Sequence, residues 1–220
     1  MNSRTALQIE AMKQQTIGVE VEMNSITREK AAKLAAKYFG TGRYEDTHRR
    51  NGYSTWSAWD ADGREWKFQR DVSINGPESE KCEMVTPILH YSDMELLQEL
   101  IRQLRHAGAK SDASRGCGVH IHIGAQGHTA QTLRNLANIM ASHESLIADA
   151  LNLNRYRMSR YCRTVDRASS SKSTAESQRR WRSSQTSGTA ARMPPAAETT
   201  ITTTAATTCS TSTRPSPRAR

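Results

Sequence analysis

The chain has 220 residues, enough for one domain with a buried core, and a formal charge of +9. Residues 1–166 contain 22 Lys and Arg against 20 Asp and Glu, whereas residues 167–220 contain 9 against 2. The four cysteines form no CxxC pair, and no apolar run approaches the roughly 20 residues of a membrane span. These features exclude a disulfide scaffold and a membrane-spanning protein, and we expect a cytoplasmic protein without a signal peptide.

The first predicted elements are a strand, a helix and a hairpin. Residues 16–23 (TIGVEVEM) alternate apolar and acidic side chains, which predicts a strand with one acidic face. Residues 27–39 are rich in helix formers and are followed by Gly40, a typical helix end. Residues 52–73 hold three of the four tryptophans on either side of a DADG turn. This arrangement indicates a β-hairpin.

The remaining elements complete an α+β pattern. Residues 81–89 predict a strand ended by a proline, and residues 92–107 predict an amphipathic helix. Residues 117–124 (CGVHIHIG) alternate strictly, as a strand does, and residues 129–152 carry Leu, Ile and Met at helical spacing. Strands and helices in this mixed order predict an α+β fold.

The composition changes abruptly after Asp166. Residues 167–220 contain no Leu, Val, Phe or Tyr, and 23 of these 54 residues are Ser or Thr. Such a segment cannot bury enough apolar surface to offset its chain entropy. We therefore predict a folded domain over residues 1–166 and a disordered tail over 167–220. The tail is either a genuine linker or stalk, or the product of a slipped reading frame.

Two pairs of residues are candidates for chemistry. Glu20 and Glu22 share one face of a predicted strand, where two carboxylates repel each other unless a cation lies between them. Oxygen ligands suit Mg²⁺ or Mn²⁺, and a solvated acidic face is the alternative. His120 and His122 likewise share a face and suit a metal or an anionic substrate group. Ordinary polar surface is the alternative, and zinc is the rival metal, although no third nitrogen or sulfur ligand has a suitable spacing.

Further carboxylates lie between these pairs. Asp71 opens the segment DVS, and Glu83 lies within the predicted strand of residues 81–89. Glu78 and Glu80 precede that strand, so we expect them in a solvated loop. Each signal is weak alone, but an ExE strand, a Glu-bearing strand ending in Pro and a GxHxH strand in this order are much more specific.

Five segments in this order resemble the amidoligase family, relatives of glutamine synthetase and glutamate–cysteine ligase. They are GVEVEM, DVS, EMVTPIL, CGVHIHIG and RYC, within residues 16–165. The resemblance implies an antiparallel sheet with helices packed on one face, similar to the catalytic domain of glutamine synthetase. It also implies an ATP-dependent ligase with two or more Mg²⁺ (or Mn²⁺) ions. ATP phosphorylates a carboxylate, and an amine then displaces the phosphate to form an amide; both substrates, amino acids or peptides, stay unidentified.

The resemblance assigns a role to five residues. Glu20 and His120 resemble ligands of a metal on the nucleotide side, whereas Glu22 and Glu83 resemble ligands of a metal on the substrate side. His122 resembles the neighbouring catalytic residue, which holds the substrate or orients the metal ligands.

The end of the chain departs from the family. Members continue with Trp-Tyr, His-Tyr-Asn and Glu-Phe-Arg segments that the chain lacks, although the genetic code permits the first two in another frame. Our preferred explanation is a frameshift near Asp166, which would leave the domain C-terminally incomplete and inactive. One alternative is a non-catalytic remnant that binds a divalent metal or a nucleotide. Another is a nucleic-acid binder that uses the basic tail, which the scarcity of aromatic residues there disfavours.

Overall fold

The computed structural model describes residues 3–48, 52–153, 155–160, 164 and 201–205. The helices are α1 (Ser3–Lys13), α2 (Arg28–Tyr38), α3 (Met94–His106), α4 (Ala130–Ala150) and α5 (Arg155–Arg160). The strands are β1 (Ile17–Met23), β2 (Tyr44–Asp46), β3 (Trp56–Trp59), β4 (Glu65–Gln69), β5 (Cys82–Val85), β6 (Val119–Ile123) and β7 (Ile201–Ala205). Three short 3₁₀ helices lie at Glu78–Glu80, Tyr91–Asp93 and Ala113–Arg115.

All strands of the described residues belong to one sheet in the order β2-β3-β4-β5-β1-β6-β7. Every neighbouring pair is antiparallel. The strands predicted at residues 16–23, 81–89 and 117–124 are neighbours, with β1 between β5 and β6. The predicted α+β fold with an antiparallel sheet is therefore confirmed. Strand β5 ends earlier than expected, at Val85, and Leu89 forms only an isolated bridge to Ile17.

The predicted hairpin is formed by β3 and β4, with Trp56 opposite Phe68. Its turn is held by Asp60, a buried carboxylate that accepts hydrogen bonds from Arg64 Nε and Trp66 Nε1, each at 2.9 Å. Arg64 also reaches Asp93 at 3.0 Å, immediately before α3. A buried carboxylate needs such partners to stay charged, so this cluster ties the hairpin to the rest of the domain.

Helices α2 and α3 pack against one face of the sheet, which we call the helix-covered face. Side chains alternate across a strand, so every second residue of each strand points to this face. The sheet contributes apolar side chains to a single core with alanines of α2 and leucines of α3. This core includes Val19, Val21, Met23, Ala31, Ala32, Ala35, Ala36, Trp66, Phe68, Met84, Leu97, Leu100 and Leu104.

The predicted helices follow their sequence signals closely. Thr27 caps α2 by accepting a hydrogen bond from the Lys30 backbone, and Thr129 caps α4 in the same way. Helices α1 and α5 and the short strand β2 were not predicted. Helix α4 has no buried residue, although its apolar spacing resembles that of α3. None of the helices among the described residues is long and apolar enough to cross a membrane.

Strand β7 lies in the segment that the sequence predicts to be disordered. Its five residues pair with β6, from Ile201 opposite Ile123 to Ala205 opposite Val119. The other residues of the predicted tail lie outside the described residues, as do Tyr161 and Cys162 of the RYC segment. The proposed division at residue 166 therefore stays a prediction.

Candidate functional site

The second face of the sheet carries the charged residues, and we call it the polar face. It is built from alternate residues of β1, β5 and β6: Glu20, Glu22, Glu83, His120 and His122. In the register of the sheet, Glu20 lies opposite His120 and Glu22 lies opposite Glu83. The two motifs and the intervening glutamate are therefore brought onto one surface by pairing three strands that are distant in sequence.

Glu20 lies between the two histidines. Its Oε2 is 3.0 Å from His120 Nδ1, and its Oε1 is 3.3 Å from His122 Nε2. The side chains of all three residues are 27% exposed, so solvent or a ligand can reach them. His120 also approaches Glu22, with 3.7 Å between Nε2 and Oε1. His120 thus links the two carboxylates of the ExE motif.

A second group consists of Glu22, Asp71 and Glu83. Each offers one carboxylate oxygen, and the three oxygens lie within 4.8 Å of one another. Glu22 and Glu83 are buried, with only 3% and 6% exposed. The backbone of Gly118 donates to Glu22 Oε2 at 2.7 Å, which fixes its carboxylate. Gln69 donates to Glu83 Oε2 at 2.9 Å from the neighbouring strand β4.

The electrostatics of this group reflect its crowding. Burial raises the pKa of Glu83 to about 7, the hydrogen bond from Gln69 opposes this shift, and the charges of Glu20, Asp71 and Glu22 add to it. Close carboxylates without a cation favour protonation of one member. A bound divalent cation would favour the ionised form of all three instead.

Asp71 is the site residue to which the sequence gives no role. It follows β4 in a loop, and its Oδ1 accepts a hydrogen bond from the Ser73 backbone at 2.6 Å. That loop packs on the segment before β6: Asn75 donates to the Arg115 carbonyl oxygen at 2.7 Å. Gly116 has φ +88°, and a Cβ there would lie 2.6 Å from the Ser73 carbonyl oxygen. Only a glycine permits this close approach, which places Asp71 beside Glu22.

The five residues chosen from the sequence therefore fall into two adjacent groups. Glu20 with His120 and Glu22 with Glu83 correspond to the two sets that the resemblance implies, and the structure places all of them on one face. Their roles as metal ligands, and the catalytic role of His122, stay predictions. Glu78 is exposed and pairs with Arg70 and Lys81, as expected for a loop residue, and Glu80 lies in the same short 3₁₀ helix.

The donor set fits a hard divalent cation. Three carboxylates converge at Glu22, Asp71 and Glu83, and such oxygen ligands are preferred by Mg²⁺ and Mn²⁺. The described cysteines, Cys82 and Cys117, are buried free thiols. Burial raises the pKa of Cys82 to about 12, which opposes the thiolate form that zinc requires.

Comparison with known proteins matches the chain to one family. The family model described as "Putative amidoligase enzyme" matches residues 13–192, a range that contains Asp71 and all five predicted site residues. The match continues past residue 165, where the resemblance found in the sequence ends. No curated protein and no solved structure matches the chain.

Proposed function

The chain belongs to the amidoligase family, and from that premise we propose an ATP- and Mg²⁺-dependent ligase that joins a carboxylate to an amine. The observation that carries the proposal is the convergence of Glu20, Glu22, Asp71 and Glu83 with His120 on one polar face. The acyl substrate would be activated as an acyl phosphate, and an amine would displace the phosphate. The substrates would be an amino acid or peptide carboxylate and an amine.

The acidic groups supply the binding chemistry for this reaction. Glu22, Asp71 and Glu83 would hold one divalent cation, and Glu20 with His120 would hold another. Bound Mg²⁺ or Mn²⁺ would neutralise phosphate charge during transfer, where charge stabilisation and positioning contribute most of the rate. His122 contacts Glu20 and is itself 27% exposed, so it can orient that carboxylate and also face a substrate.

Metal binding is the first test. Mn²⁺ titrated into the chain by calorimetry should bind at least tenfold more weakly to Glu22→Gln than to the parent, because a buried ligand charge is lost. Glu78→Gln is the matched control, since Glu78 is an exposed glutamate outside the polar face. Equal Mn²⁺ affinities for Glu22→Gln and Glu78→Gln would contradict the metal site.

Turnover is the second test. ADP release would be measured with ATP, Mn²⁺ and mixtures of amino acids as carboxylate and amine donors. On the frameshift prediction, the chain with its codons after 166 read in the other frame should release ADP, and the present 220-residue chain should not. Mn²⁺ binding without ADP release from either chain would favour the alternative, a non-catalytic metal- or nucleotide-binding remnant.

A further inference from the structure

Lys67 lies on the polar face but outside the acidic groups described above. It is the middle residue of β4 and is half-buried. The register places it opposite Val85 of β5, and Val85 lies opposite Glu20 of β1. Lys67 and Glu20 are therefore two strands apart in one row across the sheet, about 10 Å between their backbones.

Contacts of its neighbours confirm that Lys67 faces the acidic site. Gln69, two residues further along β4, donates to Glu83 of the site at 2.9 Å. Residues two apart in a strand share a face, so the Lys67 side chain leaves the sheet on the side of Glu83. Val85, a short apolar residue, is all that separates Lys67 from Glu20 in their row.

The charge of Lys67 is exceptional on this surface. Strands β1, β5 and β6 contain no Lys or Arg, and Lys67 is the single one in β4. Within the part of the chain that the structure describes, its ammonium forms no ion pair or hydrogen bond. The polar groups beside it have other partners: Ser57 donates to Glu65 at 2.7 Å, and Gln69 donates to Glu83.

A half-buried cation in such a position suits an anionic ligand. Once cations neutralise the carboxylates, the surface over Val85 would be flanked by metal ions on one side and an ammonium on the other. The flexible four-carbon stem of lysine lets the ammonium move towards a bound oxyanion. A structural role would instead give Lys67 a fixed carboxylate or carbonyl partner, as Lys81 has in Glu78.

We propose that Lys67 binds an oxyanion, a phosphoryl or carboxylate group, held over Val85 beside the Glu20–His120 pair. The proposal rests on the proposed function, because the oxyanion would be the nucleotide phosphate or the substrate carboxylate of the ligase. It makes Lys67 a substrate-binding residue.

The test measures oxyanion affinity by calorimetry with the full chain. The probes are the preformed equimolar complex of Mn²⁺ with tripolyphosphate, and glutarate added to Mn²⁺-saturated protein. Lys67→Met should weaken the binding of one of these probes about tenfold to a hundredfold, the usual effect of losing a charge-assisted hydrogen bond. Weaker binding of tripolyphosphate would identify the oxyanion as a nucleotide phosphate, and weaker binding of glutarate would identify it as a substrate carboxylate. Binding of Mn²⁺ alone should stay within about threefold of the parent.

Two further variants separate binding from folding. Lys33→Met removes an exposed lysine of α2, on the opposite side of the sheet, and should leave both affinities unchanged. Lys67→Arg keeps the positive charge and should retain most of the affinity, with thermal unfolding confirming that each variant folds.

The outcomes also separate this proposal from the metal site. Equal oxyanion affinities for Lys67→Met and Lys33→Met, or no oxyanion binding by the parent, would overturn the role of Lys67. The same titrations without Mn²⁺ test whether Lys67 binds an oxyanion when no metal is bound. Lys67-dependent tripolyphosphate binding by a parent that does not bind Mn²⁺ would overturn the metal site and leave the role of Lys67 standing.

Discussion

The two faces of the sheet are built from the same strands but have opposite chemistry. On β4, Trp66 and Phe68 are fully buried in the helix-covered face, whereas Lys67 and Gln69 belong to the polar face. On β1, Val19 and Val21 join the core, whereas Glu20 and Glu22, which alternate with them, face the site. The alternation of side chains along a strand thus assigns stability and binding chemistry to neighbouring residues.

The faces also differ in the kind of side chain that they bury. The helix-covered face buries apolar side chains, which stabilises the fold directly. The polar face buries Glu22 and Glu83, whose charges destabilise the metal-free protein unless protons or cations neutralise them. Substitutions on the first face should therefore change the free energy of unfolding, and those on the second should change ligand affinity and pH dependence.

The largest difference in stability is expected between substitutions at two adjacent residues of β4. Phe68→Ala should lower the free energy of unfolding by about 3–5 kcal/mol, because a fully buried ring leaves a cavity in the core. Lys67→Met, its neighbour on the polar face, should change it by about 0.5 kcal/mol or less. Urea denaturation followed by circular dichroism gives both values. Similar losses for the two variants would mean that the faces do not divide stability from binding in this way.

An intermediate effect should appear at Glu83, whose pKa is about 7 in the folded protein and 4.5 ordinarily. Between these pH values the folded chain binds more protons than the unfolded chain, so stability decreases as pH rises through this window. Above pH 7 the full loss remains, about 3 kcal/mol at most. Glu83→Gln in the presence of a chelator should remove this dependence.

The control for Glu83→Gln is Glu29→Gln, which removes an exposed carboxylate of α2. Denaturation midpoints of the parent and both variants would be compared at pH 5 and pH 8. If Glu83→Gln loses as much stability between these values as the parent does, burial of the Glu83 charge is not what destabilises the metal-free protein.

Much of this division could be predicted from the alternation of residues. The GVEVEM and CGVHIHIG segments fix which residues share a face, because the period of a strand is two residues. Alternation shows which residues of one strand share a face, but not which residues of two strands lie opposite each other. The contacts of Glu20 with both histidines could therefore be identified only from the paired strands of the structure. Alternation therefore predicted that Glu20 shares a face with Glu22, and His120 with His122. The grouping of Glu22 with Glu83 came from the family resemblance, and Asp71 was not predicted as a member of that group.

Other features depend on tertiary contacts that leave little signal in the sequence. Asp71 reaches the site because its loop packs closely on Gly116, a contact between segments about forty residues apart. Strand β2 has only three residues, which is too short for a periodic pattern. In α4, the spacing of Leu and Ile predicted the helix correctly but did not show that it lacks buried residues.

The smallest predicted effect extends the comparison from the two faces to the helices. Thr27 and Thr129 cap α2 and α4 through the same kind of hydrogen bond, at 3.2 Å in both helices. Helix α2 buries four alanines against the sheet, whereas α4 buries no residue. Thr27→Ala should therefore lower the free energy of unfolding by about 1 kcal/mol, because fraying of α2 weakens the core that it covers. Thr129→Ala should leave the denaturation midpoint unchanged and only increase hydrogen exchange in the first turn of α4, since a helix without fully buried residues can open locally. Equal midpoint shifts for the two variants would show that α4 folds cooperatively with the sheet.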